Sequence, residues 1–128
     1  MGLLTKENQM LIIEILKRAR ALIKQGWCQH TGARDENGVK VHIKSDEARF
    51  WCTTGALYIA TKDSGDRQRT RYQLMKSVNT VWKDKPEYIK RKTDLSILMA
   101  WNDMEGQTKE NVLKTFDLTI RRLAEERK

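Results

Sequence analysis

The stretch TKENQMLIIEILKRARALIKQ, residues 5–25, decides the fold class, because its apolar positions recur at helical spacing. Together they form one stripe that comprises Ile12, Ile15, Leu16, Ala19, Leu22 and Ile23. Thr5 precedes the stripe and suits an N-cap. Gly26 follows it, and we interpret this glycine as a left-handed C′ residue that ends the helix. The stretch predicts a long helix that buries one face.

The rest of the chain predicts further helices. Residues 67–83 predict a third helix, with an apolar side of Leu74, Met75, Val78, Val81 and Trp82. Pro86 then breaks the chain, and a shorter fourth helix is expected within residues 87–101, with Leu95, Ile97, Leu98, Met99 and Trp101. Thr108 is expected to cap a last helix, whose stripe comprises Val112, Leu113, Phe116, Ile120, Leu123 and Ala124.

The second helix is expected to begin after Ser45, an N-cap followed by the acidic Asp46 and Glu47. One side of it would carry Ala48, Cys52, Gly55, Ala56 and Ile59. Trp51 would point to another side and be partly exposed. A glycine inside a helix costs about 1 kcal/mol relative to alanine. Gly55 therefore indicates that another backbone or a large ring packs closely against this helix.

One β-hairpin is expected near residues 29–43. Asn37-Gly38 is a strong hairpin turn, and Val39, Val41 and Ile43 alternate after it. The other arm would be residues 29–34. The sequence has no repeat and no linker, and 128 residues can bury a core without disulfides or metal. We expect a mainly α fold, a single compact domain over residues 1–128 with four to five helices and this hairpin.

The composition favours a cytoplasmic protein. No apolar run reaches the roughly 18 residues that a membrane-spanning helix needs. The first residues lack a basic region followed by an apolar stretch, so we expect no secretory signal and no membrane association. The two cysteines, Cys28 and Cys52, are then expected to be reduced thiols.

The positive charge is concentrated in one part of the chain. The formal net charge is +8, and residues 67–92 hold nine basic side chains against Asp84 and Glu87. These nine candidate anion-binding residues are Arg67, Arg69, Arg71, Lys76, Lys83, Lys85, Lys90, Arg91 and Lys92. Three of them, Arg69, Lys76 and Lys83, repeat every seven residues and would align on one helix face. The alternative is a solvated face that only maintains solubility.

Three distant segments combine aromatic residues or cysteine with small or turn-forming residues: Gly26-Trp27-Cys28-Gln29, residues 52–57 (CTTGAL) and Trp101-Asn102-Asp103. One interpretation places Trp27, the Gly55-Ala56 patch and Trp101 around a shallow pocket, with Asn102 and Asp103 at its rim. The other, which we favour, is structural: Asn102 and Asp103 bond to backbone groups of the turn that precedes Thr108.

Cysteine and histidine spacing does not predict a metal or catalytic centre. Cys28 and His30 are followed by the isolated His42 and Cys52, which is not the paired spacing of structural zinc sites. Cys52 would lie about two turns into its helix, too far for the helix dipole to lower its pKa, so a core position fits it better than a nucleophile. We therefore expect no catalytic residue, no metal and no cofactor.

The three segments, in this order, resemble an uncharacterised family of small proteins found in bacteriophages and actinobacteria. The matching features are Gly26-Trp27, Asn37-Gly38, the Cys-x-x-Gly-Ala-Leu pattern from Cys52, and Trp101-Asn102-Asp103. The family is described only as a domain of unknown function, so the resemblance implies little about activity. It does suggest a phage-encoded protein. This chain is richer in Lys and Arg than the Ala-rich members it resembles.

Three functions follow as hypotheses. The first is a non-enzymatic binding protein whose basic third helix engages nucleic acid or a small nucleotide. The second, from the resemblance, is a phage accessory or anti-defence protein that binds a host protein or sequesters a nucleotide signal. The third is a small enzyme, ranked last because no nucleophile and base are visible as a pair. The sequence does not indicate an oligomeric state.

Overall fold

The computed structural model describes residues 4–126, which contain six helices and two short strands. The helices are α1 (Lys6–Gln25), α2 (Thr53–Ala60), α3 (Ser64–Val81), α4 (Glu87–Lys90), α5 (Asp94–Asp103) and α6 (Lys109–Glu126), and the strands are β1 (Ala33–Arg34) and β2 (Phe50–Trp51). The mainly helical fold with one antiparallel strand pair is confirmed. The helix count of four to five was too low, because the segment predicted as a fourth helix is divided into α4 and α5. Thr93 begins the second piece by accepting the N–H of Ser96 at 3.2 Å.

Helix α1 lies at the centre of the packing and contacts α2, α3 and α6. Its stripe is buried as predicted, except for the half-buried Leu22. Thr5 Oγ1 accepts the N–H of Asn8 at 3.1 Å, which confirms the N-cap. The left-handed interpretation of Gly26 was wrong, because its φ of −169° is extended backbone. A Cβ at this position would collide with the carbonyl oxygen of Arg49, so lack of space requires the glycine.

The second helix begins seven residues later than predicted, with its N-cap at residue 52 instead of 45. Ser45 does not cap it, because its hydroxyl accepts the N–H of Glu47 at 3.1 Å inside a turn. The chain then extends as β2, and Cys52 is the N-cap of α2, its Sγ accepting the N–H of Gly55 at 3.3 Å. Trp51 is buried in the strand rather than partly exposed on a helix. The expected position of Ile59 on the buried side was also wrong, since this side chain is exposed.

The strand pair uses a different second arm from the predicted one. The turn at Asn37-Gly38 is present, and Gly38 has the φ of 82° that such a turn needs. The arm after it makes only one bridge, from Lys40 to Arg34. Strand β1 pairs instead with β2, in the antiparallel register Ala33↔Trp51 and Arg34↔Phe50. Trp51 also pairs with the segment that follows α1, through a parallel bridge to Trp27.

The remaining helices close the core around α1. Helix α3 contacts α5 and α6, and its Leu74 and Val78 are fully buried. Thr108 Oγ1 accepts the N–H of Asn111 at 3.1 Å, so the predicted cap of α6 is confirmed. Four apolar residues that the periodicity placed in the core are exposed instead: Val81, Leu95, Met99 and Ala124. Among the described residues, no helix is both long and apolar enough to cross a membrane.

Candidate functional site

The three segments singled out in the sequence meet at one buried side chain, Asn102. Its exposure is 1%, and its Oδ1 accepts three hydrogen bonds: from Trp27 Nε1 at 2.9 Å, from the Thr53 N–H at 2.9 Å and from Thr53 Oγ1 at 2.7 Å. Its Nδ2 donates to the Cys28 carbonyl at 3.1 Å and to Asp103 Oδ1 at 2.9 Å. We call these five residues, Trp27, Cys28, Thr53, Asn102 and Asp103, the Asn102 network. It joins the segment that follows α1, the start of α2 and the end of α5.

The side chains of Asn102 and Asp103 bond to backbone groups, as the structural interpretation expected, but these groups belong to other segments than the predicted turn. Among the described residues, neither side chain bonds to the turn before Thr108. Asp103 Oδ1 accepts the backbone N–H of His30 at 2.9 Å, across the fold. The turn is held by Gln107, which donates to the Trp101 carbonyl at 2.9 Å and accepts the Thr108 N–H at 3.1 Å.

The residues predicted to form a pocket do not enclose one together. Trp101 and Asn102 are buried, and Gly55 packs so tightly on Gly32 that a Cβ would collide with the Gly32 carbonyl oxygen. Of these residues, Trp27 lines a cavity that the structure describes at this end of the molecule. That cavity, of about 410 Å³, we call the Trp27 cleft, and its lining residues are Trp27, Cys28, Gln29, His30, Arg34, Gly38 and Phe50.

His30 stands at the rim of the cleft in an unusual backbone conformation. Its φ is 71°, in the left-handed region that costs a non-glycine residue about 1 kcal/mol. The bond from its N–H to Asp103 holds this conformation, and the Asp103 carboxylate also lies 4.0 Å from Nδ1 of the ring. Gln29, the residue before His30, is held by its side chain, which donates to the carbonyls of Asn102 and Met104 at 3.0 and 3.1 Å. The imidazole itself remains 65% exposed.

Arg34 supplies the fixed positive charge of the cleft. Its guanidinium donates to the Gly38 carbonyl at 2.9 Å and to the Gln29 carbonyl at 3.1 Å. Within residues 4–126 it has no carboxylate within 4.0 Å. A guanidinium has five N–H donors, so three are not used by these two carbonyls. The sequence offered no signal for His30, Arg34 or Phe50 as cleft residues, since their approach depends on the unpredicted pairing of β1 with β2.

Both cysteines are buried and unbonded to each other. Burial is the main cause that raises the pKa of Cys28 to about 12, and the neighbouring Cys52 raises it further, whereas Arg34 lowers it. The Cys28 thiol is therefore protonated at neutral pH and unsuited to nucleophilic attack. The position predicted for Cys52, two turns inside a helix, was wrong, because Cys52 caps α2. In the described part of the chain no three His, Cys, Asp or Glu residues cluster as metal ligands; the expected lack of zinc stays a prediction.

Five of the nine predicted anion-binding residues contact other side chains or backbone groups, and the other four are exposed without a carboxylate partner among residues 4–126. Three form ion pairs: Arg69 with Asp66 at 2.5 Å, Arg71 with Asp94 at 3.3 Å, and Lys90 with Glu87 at 2.9 Å. Arg67 stacks on the Tyr58 ring at 4.3 Å and donates to the Thr61 carbonyl. Lys85 is half-buried and bonds to Asn79. The other four, which we call the basic surface, are exposed: Lys76, Lys83, Arg91 and Lys92.

The predicted helical line of Arg69, Lys76 and Lys83 is broken in the structure. Helix α3 ends at Val81, so Lys83 lies beyond it, and Arg69 is neutralised by its partner. Lys76 is close to the Tyr72 ring, at 5.7 Å. No member of the basic surface has a carboxylate within 4.0 Å among residues 4–126.

The sequence model of DUF6197, a family of unknown function, matches residues 7–122 of the chain. The chain belongs to DUF6197. This confirms the resemblance to an uncharacterised family, and the match covers all six helices except the first residue of α1 and the end of α6. No curated protein and no solved structure matches the chain. Membership in DUF6197 therefore supplies no activity, and the function has to be argued from the geometry.

Proposed function

We propose that this DUF6197 protein is a non-enzymatic binding protein for nucleic acid, which it contacts through the basic surface. The observation that carries the proposal is the exposure of Lys76, Lys83, Arg91 and Lys92 without carboxylate partners in the described chain. The three ion-paired residues of the same region contribute less, because their charge is already compensated. Lys85 adds positive charge beside Lys83.

A flexible set of lysines suits backbone recognition rather than base reading. Lysine presents a mobile point charge that follows phosphates without fixing their geometry. Each neutralised phosphate releases condensed counterions, so binding weakens steeply as salt rises. Four contacts correspond to a slope of about −3 to −4 in the logarithm of affinity against the logarithm of salt concentration. The proposal thus places weak, sequence-independent binding in the cytoplasm of a cell or, for a phage-encoded chain, of its host.

A second candidate is an accessory protein that binds an acidic host protein, including a defence component. The observation that favours it is a set of exposed apolar side chains on α4 and α5, close in sequence to Arg91 and Lys92: Tyr88 is 70% exposed, and Leu95 and Met99 are also exposed. Aromatic residues and methionine are enriched at protein interfaces. The same positive charge would steer an acidic partner toward this face.

The decisive experiment compares two triple variants with the same fall in net charge. In the first, Lys76, Lys83 and Lys92 are replaced by Glu. In the control, Lys17, Lys24 and Lys114 are replaced by Glu; these three lysines are exposed on α1 and α6, two helices that carry no residue of the basic surface. Fluorescence anisotropy measures binding to labelled single-stranded and duplex DNA and RNA at several salt concentrations.

The proposal expects the first variant to lose binding and flatten the salt slope by about three units, while the control keeps most of both. Circular dichroism checks that both variants fold. Equal losses in the two variants would mean that net charge alone drives binding. No binding by the parent at low salt would overturn the proposal and leave the host-protein candidate.

A further inference from the structure

We propose that the Trp27 cleft is a second, separate site, which binds a small planar anion: an aromatic or heteroaromatic ring that carries a carboxylate or a phosphate. The ring would lie against Trp27 and Phe50, and the acid group would bind Arg34 and His30. The volume, about 410 Å³, falls within the range of roughly 300–1,000 Å³ that is usual for small-molecule sites.

The positive side of the cleft is built before any ligand arrives. Two carbonyls hold the Arg34 guanidinium in one plane, and its other N–H groups have no acidic partner among residues 4–126. A planar guanidinium binds a carboxylate or phosphate through two parallel hydrogen bonds. The two carbonyls hold the guanidinium in position without neutralising its charge. Arg34 can therefore bind an acid group through its remaining N–H groups.

The aromatic side of the cleft is equally fixed. The Trp27 indole is half-buried and donates its Nε1–H to Asn102, which sets the direction of the ring. Phe50 is half-buried in β2, next to Arg34 across the strand pair. Two aromatic side chains beside one guanidinium match a ligand that is flat at one end and charged at the other. An aliphatic acid would leave the ring surfaces unused, and a neutral ring would leave Arg34 without an anion.

The backbone of His30 supports a binding role for this residue. A histidine with a φ of 71° is held in place by the Asp103 carboxylate, although a glycine would adopt that conformation without cost. The result is an imidazole at the cleft rim that is 65% exposed, with its Nδ1 4.0 Å from the Asp103 carboxylate. Such strain is typical of residues that contact ligands.

The cleft is independent of the basic surface. The residues of the cleft lie between 27 and 50, on the loop after α1 and the strand pair, whereas the basic surface lies on α3 and the segment after it. Reversal of Lys76, Lys83 and Lys92 should therefore leave ligand binding in the cleft within about twofold of the parent, whatever becomes of nucleic-acid binding. The two proposals can fail separately.

Isothermal titration calorimetry with four probes tests the ligand class. Adenosine 5′-monophosphate and indole-3-carboxylate each combine a ring with an acid group, and adenosine and inorganic phosphate supply the halves alone. The expected result is that at least one of the two ring acids binds, and that each half binds about tenfold more weakly or not at all. The preferred ring acid distinguishes phosphate from carboxylate sources. Failure of both ring acids to bind at millimolar concentration would overturn the proposal.

Three substitutions locate the site. Arg34→Gln should weaken the bound ring acid by about tenfold or more, because a charge-assisted hydrogen-bond pair is lost, and Arg34→Lys should retain part of the affinity. His30→Asn keeps a residue that tolerates the left-handed conformation, so the protein should fold normally and bind more weakly. Unchanged affinity in both Arg34→Gln and His30→Asn would overturn the assignment to this cleft. In a ¹H–¹⁵N spectrum the indole N–H signal of Trp27, but not that of Trp82, should move on binding.

Discussion

At the scale of single residues, Gly55 shows how little space the fold leaves between its elements. A Cβ on Gly55 would collide with the carbonyl oxygen of Gly32, which is backbone and cannot rotate away. Gly55→Ala should therefore destabilise the protein by about 1–3 kcal/mol, even though alanine is the better helix former. Urea denaturation measures the change. Gly65→Ala is the control in a helix, because a Cβ there would lie 3.1 Å from Oδ1 of Asp63, the side chain that caps α3, and would meet a side chain rather than backbone. A Gly55→Ala variant as stable as the parent would contradict this packing.

Cys28 yields a prediction from its environment. With its pKa raised to about 12 by burial and by Cys52, only about one thiol in ten thousand is ionised at pH 8. In a Cys52→Ser background, alkylation of Cys28 by iodoacetamide should be slow in the native protein and should still accelerate above pH 10, where an ordinary thiol has already reached its maximum rate. Mass spectrometry follows the reaction, with urea-unfolded protein as the control. A plateau near pH 9 in the native protein would contradict the raised pKa.

The same pKa has a consequence for stability. The folded-state pKa of Cys28 lies above the ordinary thiol value of 9.0, so the folded state retains a proton that the unfolded state loses. The contribution of Cys28 is fully present below pH 9 and is lost as pH rises from 9 toward 12. The parent should therefore lose stability over this interval more steeply than a Cys28→Ala variant. Thermal melts at pH 8 and pH 10.5 compare the two proteins, and parallel losses would contradict the linkage.

At the scale of elements, the start of α2 depends on an unusual cap. Cys52 Sγ accepts the Gly55 N–H at 3.3 Å, a longer and weaker bond than an oxygen would make. Cys52→Ser should preserve the cap and leave stability within about 1 kcal/mol of the parent, whereas Cys52→Ala should lose about 0.5–2 kcal/mol. Chemical denaturation of the two variants makes the comparison. If the alanine variant equalled the serine variant, the sulfur would be acting only as a buried apolar atom.

Helix α1 and residues 45–52 show where sequence periodicity predicts secondary structure correctly and where it does not. The periodicity of α1 and the caps at Thr5 and Thr108 were predicted correctly, because long amphipathic helices depend on local spacing. Residues 45–52 were predicted to be helical, but they form a turn and a strand. Phe50 and Trp51 pair with β1, which lies earlier in the chain. Tertiary pairing of this kind overrides local preference. The Trp27 cleft is formed by this pairing, so its residues could not be predicted from spacing.

At the scale of the whole molecule, the Asn102 network connects three segments whose composition is unusual but does not predict their contacts. The segments Gly26-Trp27-Cys28, Cys52-Thr53 and Trp101-Asn102-Asp103 were identified by composition, and the structure brings them together around Asn102. Their convergence was predictable only as an expectation of close packing. Which atoms bond could not be predicted, because an asparagine that bonds a local turn and one that joins distant elements have the same appearance in sequence.

The Asn102 network leads to a prediction that tests the whole fold. Asn102→Asp keeps the volume and the Oδ1 acceptor for Trp27 and Thr53, but removes the donor to Cys28 and places a buried charge beside Asp103. The Cys28 carbonyl would lose its partner, and two carboxylates would repel each other. We expect a loss of about 3 kcal/mol or more at pH 7, measured by urea denaturation.

The pH dependence of that loss separates the charge from the missing donor. We expect burial and the charge of Asp103 to outweigh the three hydrogen bonds that Oδ1 accepts, and so to raise the pKa of the new carboxyl in the folded state above its unfolded value. The folded state then holds its proton more tightly, so the variant regains stability relative to the parent as pH falls from 7 to 4.5. The exposed Asn111→Asp substitution on α6 serves as the control and should change stability by no more than about 0.5 kcal/mol. A loss for Asn102→Asp that is the same at both pH values would mean that the missing donor, rather than the buried charge, destabilises the fold.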